Sequence, residues 1–192
     1  MSDVEDPPDG ITTERLALRT PTPGDLRTVF DLYADPRVWG PDPLTRHHHV
    51  GQTATMIEAW RAGWHRDGLG IWTAWGAEPD TADAFVGIGG CFLHYGVAWN
   101  LGFRLLPRFW GRGYAQEINA AAATWARHLR PDLPLTAYLV EGNDRSRRTV
   151  ERAGLELVWR GPDAGNPDPS AVRLLYSDRP LSPDTVELLV AR

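Results

Sequence analysis

A short glycine-containing run, Trp110-Gly111-Arg112-Gly113-Tyr114-Ala115, lies where a strand-like pattern gives way to a helical one. Free N–H groups at a helix start, with the positive end of the helix dipole, make an anion site. Gly111 and Gly113 lack a Cβ, so a pyrophosphate can approach the main chain closely. Arg112, with Arg108 nearby, adds positive charge. The run is not the phosphate loop of nucleotide triphosphatases, because no Lys-Ser or Lys-Thr follows Gly113. Nor is it the dinucleotide fingerprint: a third glycine is missing, and the preceding strand belongs to a hairpin. Glycine spacing alone allows a plain strand-to-helix turn equally well.

Other residues could also carry chemistry. Asn143 and Ser146 stand at the expected start of a later helix, where Asn is a good cap and Ser bonds to backbone. His47-His48-His49 offers three imidazoles, but consecutive helical residues point about 100° apart and do not converge on one ion. No metal is expected. An exposed helix start accounts for the three histidines, with substrate contact as the functional alternative. Cys91 sits in an apolar strand without a histidine and acid nearby, so it reads as a buried structural thiol. Of the tryptophans, Trp39, Trp60, Trp64, Trp72 and Trp75 read mainly as core by spacing. Trp39, in a loop, is the best candidate to line a pocket.

The elements that must position these residues follow from hydrophobic periodicity. Thr13–Thr20 alternates as a strand. Pro21 to Asp25 breaks it and starts a helix to about Leu32, with Leu26, Val29, Phe30 and Tyr33 on one face. A second helix, with Thr45 as its expected cap, runs to about Trp64. Three strand-like runs follow, Ile71–Ala77, Ala84–His94 and Ala98–Leu106, separated by short breaks that favour antiparallel neighbours. Gln116–Leu129 is Ala-rich and helical. Leu135–Val140 is a strand, Asp144–Ala153 a helix ended by Gly154, and Leu155–Arg160 a strand. A loop from Gly161 to Pro169 precedes a last strand, Ala171–Ser177. The expected organisation is a disordered lead over 1–10, one domain over 11–178, and a tail over 179–192 that can fold back as a short helix. The fold class is α/β or α+β with a mixed central sheet.

Composition bounds the function. The chain has 192 residues, enough for one domain with a sizeable core. Its net charge of −5 disfavours a nucleic-acid partner, which needs a phosphate-neutralising surface. A single cysteine excludes an internal disulfide and fits a reducing cytoplasm. No segment has the apolar length to span a bilayer, so no membrane partner is expected.

Two motifs bring a family into view. Trp110-Gly111-Arg112-Gly113-Tyr114-Ala115 resembles the Q/R-x-x-G-x-G/A acyl-CoA motif of the GNAT superfamily. The likeness is best with ribosomal-protein N-terminal acetyltransferases, whose motif often reads Trp-Gly-Lys/Arg-Gly-Tyr-Ala. Trp110 stands where other branches carry Gln or Arg. The stretch from Ala137 to Leu155, with Asn143, Ser146 and Gly154, resembles the family's Asn-x-x-Ser helix, Leu155 replacing the usual Phe. The likeness runs from about Ile11 to Ser177. It implies a sheet of about seven strands with a splayed central pair, flanked by about four helices. It implies acetyl-CoA as cosubstrate and a small-molecule or peptide amine as acceptor; homodimers are common among look-alikes. The implied cofactor contacts are Trp110, Gly111, Arg112, Gly113, Tyr114 and Ala115 for the pyrophosphate. Arg104, Leu105 and Leu106 would pair with pantetheine, Asn143 would contact it, and Ser146 would lie near the thiol. Arg145, Arg147 and Arg148 could meet the 3′-phosphate or simply form an exposed helix face.

Acetyl transfer to an amine needs a neutral amine, a stabilised oxyanion and a tolerated thiolate. The resemblance implies direct attack in a ternary complex, with a backbone N–H near Leu105 as oxyanion donor and Ser146 as the acid. The base is open. Close relatives often carry a Glu where this chain has Asn100, which cannot take a proton at neutral pH. Tyr138 and Glu141 are options, with Glu117, His94 and ordered water as others; Glu141 and Glu117 read more readily as plain surface or first-turn carboxylates. Asn100 also leaves a second reading open, that of a non-catalytic acyl-CoA-binding or regulatory module.

Overall fold

The computed structural model describes residues 10–40, 45–164, 166 and 168–191. The elements in chain order are β1 (Gly10–Thr12), β2 (Leu16–Arg19), α1 (Leu26–Ala34), α2 (Val50–Asp67), β3 (Ile71–Gly76), β4 (Phe85–His94) and β5 (Ala98–Leu105). Then come α3 (Tyr114–Leu129), β6 (Leu135–Val140), α4 (Asp144–Arg152), β7 (Glu156–Pro162), β8 (Val172–Ser177) and α5 (Pro183–Val190). Short 3-10 turns at Pro23–Asp25 and Pro107–Phe109 lead into α1 and the glycine loop. Among the described residues, eight strands form one mixed sheet in the order β1-β2-β3-β4-β5-β6-β8-β7. Every pairing is antiparallel except β5 with β6.

Sequence periodicity located most of these elements and misplaced a few ends. β1 is only three residues long, too short for alternation to reveal. It takes up Gly10, the last residue of the expected lead; the other nine lie outside the described residues. Thr45 does not cap α2. The helix starts at Val50, where the Gln52 side chain accepts from the His48 and His49 amides at 2.8 and 3.0 Å. The expected loop from Gly161 is shortened because β7 continues through Pro162 at the sheet edge, where a proline is tolerated. The tail folds as α5, and its Leu189 is buried with Ala98 and Leu175.

Helices cover both faces. α3 packs Ile118, Ala122 and Ala126 with Val86, Leu101 and Leu135. On the other side, α1 and α2 bring Val29, Leu32 and Ile57 onto Ile71, Phe85 and Ile88. A close approach fixes α3: a Cβ on Gly89 would lie 2.7 Å from Ile118 Cγ2. The absent side chain lets the helix sit directly on the sheet.

The first turn of α3 is also clamped from the opposite end of the chain. Glu117 accepts hydrogen bonds from the Thr13 hydroxyl and from the Arg15 amide at 2.7 Å. It also forms an ion pair with Arg15 Nε at 2.8 Å. The same guanidinium donates to the Arg112 carbonyl at 2.8 Å and lies over the Tyr114 ring at 4.6 Å. Burial pushes the Glu117 carboxyl up, but the hydrogen bonds from Thr13 and Arg15 outweigh it and hold it below its ordinary range. A group depressed in the folded state stabilises above its unfolded pKa, and that contribution is lost as pH falls. Replacing Glu117 by Gln should therefore lower the denaturation midpoint at about pH 7 by an amount worth about 1–3 kcal/mol. The deficit should shrink as pH falls below about 4.5, read from urea melts across that range.

Candidate active site

β5 and β6 pair only at Trp99 with Leu135, Asn100 with Thr136, and Leu101 with Ala137. Beyond that point β5 stays on β4 and β6 stays on β8, so a gap opens between them. Strand parity tells which main-chain groups face it. The Trp99 amide donates toward β6, to the Pro134 carbonyl at 2.9 Å, so Leu101, Phe103 and Leu105 turn the same way. The Leu106 amide instead donates to Val86 of β4 at 3.0 Å, and Arg104 pairs with Ile88 on that side. Of the three residues expected to offer main chain to pantetheine, only Leu105 faces the gap. Phe103 joins it. Main-chain parity along β5 is set by its pairing with β6 at Trp99, a long-range contact with no local sequence signal.

The glycine loop closes one end of the gap. The Trp110 indole donates to the Leu105 carbonyl at 2.8 Å, tying the loop to the parted strand. Gly111 and Gly113 have φ of 74° and 84°, and a Cβ on Gly111 would meet nothing within 4 Å. Gly113 is the N-cap of α3, and its carbonyl accepts from Gln116 and Glu117. Among the described residues, the amides of Gly111, Arg112, Gly113, Tyr114 and Ala115 meet no protein acceptor. Five successive N–H groups at a helix start are thus left available to an anion.

This loop borders a cleft of about 630 Å³ that also takes in Phe103, Leu105, Asn143, Ser146 and Arg148. Arg145, on its wall, stacks over the Trp110 ring at 4.0 Å, while Arg147 pairs with Asp144 at 3.0 Å. Arg145, Arg148 and Arg152 give the cleft a positive edge. A second cavity of about 370 Å³ lies toward α1 and α2. The two share Val38, Phe103, Arg104, Asn143 and Ser146, so they meet where the strands part.

Ser146 sits at that junction, 7% exposed, in the first turn of α4. Asn143 caps the helix, its Oδ1 accepting from the Ser146 amide at 3.2 Å. Trp110, Gly111, Gly113, Tyr114 and Ala115 line the cleft; Arg112 does not, and its carbonyl accepts from Arg15. The buried Tyr114 ring anchors the helix start, and its hydroxyl donates to Glu78 at 3.3 Å.

The proposed bases fare differently. Glu141 is exposed and held by Arg160 through two hydrogen bonds at 2.7 and 2.8 Å, which keep its carboxyl below the usual range. It borders none of the cavities described here, and Glu117 is occupied by the Arg15 clamp. Tyr138 does line the second cavity, but its hydroxyl donates to the Leu189 carbonyl of α5, and burial pushes its pKa well up. A neutral phenol of this kind is a donor, not a base. Tyr33, on the same wall, is likewise raised by burial, to about 12. Asn100 is buried and borders this cavity and an adjoining one of about 320 Å³. His94 lines only the latter, and burial lowers its pKa.

The remaining candidates are structural. His47 bonds to Thr53 at 2.8 Å and packs its ring 4.5 Å from that of Tyr33. Among the described residues no group of His, Cys, Asp or Glu could hold a metal ion. Cys91 is fully buried, with burial pushing its thiol pKa up. No helix among the described residues is long and apolar enough to cross a membrane.

Comparison with known proteins places this arrangement. The acetyltransferase (GNAT) domain family matches residues 15–156, and the chain belongs to that family. The chain is 26% identical over 165 residues to the protein YkkB of Bacillus subtilis (strain 168), covering 80% of this chain and 92% of that one. A crystal structure of an acetyltransferase from Agrobacterium tumefaciens is 28% identical, with a TM-score of 0.69 over 88% of this chain and 92% of the other. The ribosomal L7/L12 alpha-N-protein acetyltransferase RimL, solved with coenzyme A, shares the fold at 16% identity and a TM-score of 0.69, over 87% and 95% of the chains.

Two substitutions separate the helix cap from the surface pair. Asn143→Ala should lower stability by about 1 kcal/mol through loss of the α4 cap. Glu141→Gln should leave acetyl transfer within about twofold of the parent, as expected for an exposed ion pair away from the cavities. Thermal melts and initial rates read both.

Proposed function

We propose that this chain moves an acetyl group from acetyl-CoA to a primary amine by direct attack within a ternary complex. The acceptor is a protein N-terminus, an amino acid or a small-molecule amine. One observation carries the reading: the amides of Gly111 to Ala115 meet no acceptor among the described residues, and Gly111, Gly113, Tyr114 and Ala115 line a cleft that meets a second cavity at Ser146. Acetyl-CoA would supply the activated acyl group. RimL, a protein of the same fold solved with coenzyme A, supports that choice of donor.

The chain's own residues divide the work. The loop amides and the α3 dipole hold the diphosphate, with Arg145 and Arg148 adding charge at the edge. The inward-turned main chain of Phe103 and Leu105 holds the acyl-bearing arm, and a Leu105-side amide stabilises developing negative charge on the carbonyl oxygen. Ser146 donates toward the departing sulfur. Because Tyr138 and Glu141 are committed elsewhere, the amine loses its proton to ordered water in the second cavity. Juxtaposing acceptor and donor at the junction provides much of the acceleration.

Gly113→Ala should weaken CoA binding about tenfold, because a side chain is strained at positive φ and shifts the loop amides. Ser146→Ala should lower kcat about tenfold to a hundredfold while leaving CoA affinity within about twofold. Calorimetry with CoA and steady-state rates measure both. Undiminished CoA binding by Gly113→Ala contradicts the assignment.

A further inference from the structure

The cavity beside Ser146 has a wall chemistry of its own. Rings from six places in the chain converge on it: Tyr33 of α1, Trp39, Trp60 of α2, Phe92 of β4, Phe103 of β5 and Tyr138 of β6. Tyr33 holds Trp39 at 5.0 Å and Trp60 at 6.2 Å between centroids, so part of the wall is a packed aromatic unit. Phe92 is unusual because it lies on an interior strand of the sheet yet is 39% exposed. It stands opposite Asn100 in the ladder, and both line the cavity. Exposed apolar surface inside a concave site marks where a ligand is covered.

Two arginines also border this wall. The Arg104 guanidinium lies over the Trp39 ring at 4.3 Å, and Arg173 enters from β8. Asp163 compensates Arg173 from 2.6 Å, and Arg173 borders both this cavity and the adjoining one. A flat ring gains most here, since ring pairs favour tilted or edge contacts at about 4.5–7 Å between centroids.

We infer that the acceptor is an amine carried on an aromatic body, an arylalkylamine or an aromatic amino acid, whose ring packs against Phe92, Trp60 and Tyr33 while its amine reaches the Ser146 junction. This rests on the acetyl-transfer reading above and narrows its acceptor. The reaction stays balanced: the amine nitrogen bonds the acetyl carbon, the thioester C–S bond breaks, and the amine's proton leaves for solvent while the sulfur departs as thiol.

The test uses the full chain with acetyl-CoA and a panel of 2-phenylethylamine, tryptamine, hexylamine, spermidine and a short peptide with a free N-terminus. CoA binding is followed separately by calorimetry. The expected result is kcat/KM for the two aromatic amines at least about tenfold above hexylamine and spermidine. Phe92→Ala and Trp60→Ala should each lower the ratio of aromatic to aliphatic kcat/KM about fivefold, chiefly through KM. Bound CoA with no preference for aromatic amines, or with no aromatic amine turned over, overturns the inference. So does a Phe92→Ala variant that keeps its aromatic-to-aliphatic ratio. Failure of CoA to bind overturns the acetyl-transfer reading itself.

Discussion

Three residue pairs join β5 to β6, and the strands then part. Each keeps its other neighbour: β5 continues along β4 to Leu105, and β6 continues along β8 to Val140. Main-chain polar groups freed inside a sheet must find partners. On one side the Leu105 carbonyl is met by the Trp110 indole, and on the other the Val140 carbonyl by the Asn143 amide. Both contacts lead directly into the helices whose starts line the cleft. The parting of two parallel strands therefore sets where the glycine loop, the Asn143 cap and Ser146 must stand.

Precision at the loop comes from outside it. Thr13 and Arg15 reach Glu117 across more than a hundred positions of sequence, and Arg15 also takes the Arg112 carbonyl. That carbonyl is thereby turned to protein while the neighbouring amides are left with no acceptor among the described residues. Gly89 completes the arrangement by letting Ile118 sit against the sheet. The proposed anion site of main-chain donors works only if its backbone does not relax onto itself, and these contacts oppose that relaxation.

Much of this was legible in the sequence because it is local. Glycines before an Ala-rich helix, an Asn three residues before a Ser, and alternation in Leu135–Val140 each act over a few residues. What was not legible depends on pairing. Arg104 and Leu106 are expected to pair with pantetheine, yet register turns their main chain toward β4 and leaves that of Phe103 in the gap, while Arg104 still lines both cavities. Glu141 and Glu117 read as surface and first-turn carboxylates more readily than as bases, but the Arg160 and Arg15 that hold them come from other segments. Tyr138 was read as a titratable group, but α5 supplies an acceptor carbonyl and burial keeps it neutral. The convergence of Tyr33, Trp60 and Phe92 on one cavity has no local signature at all.

Amide hydrogen exchange at Gly111 to Ala115, followed with and without CoA, reads the central claim at the atoms concerned. Those amides should exchange quickly in the free protein and become strongly protected when CoA binds, with little change in the body of α3. CoA bound at saturation while the same amides exchange at their free rate would contradict the account.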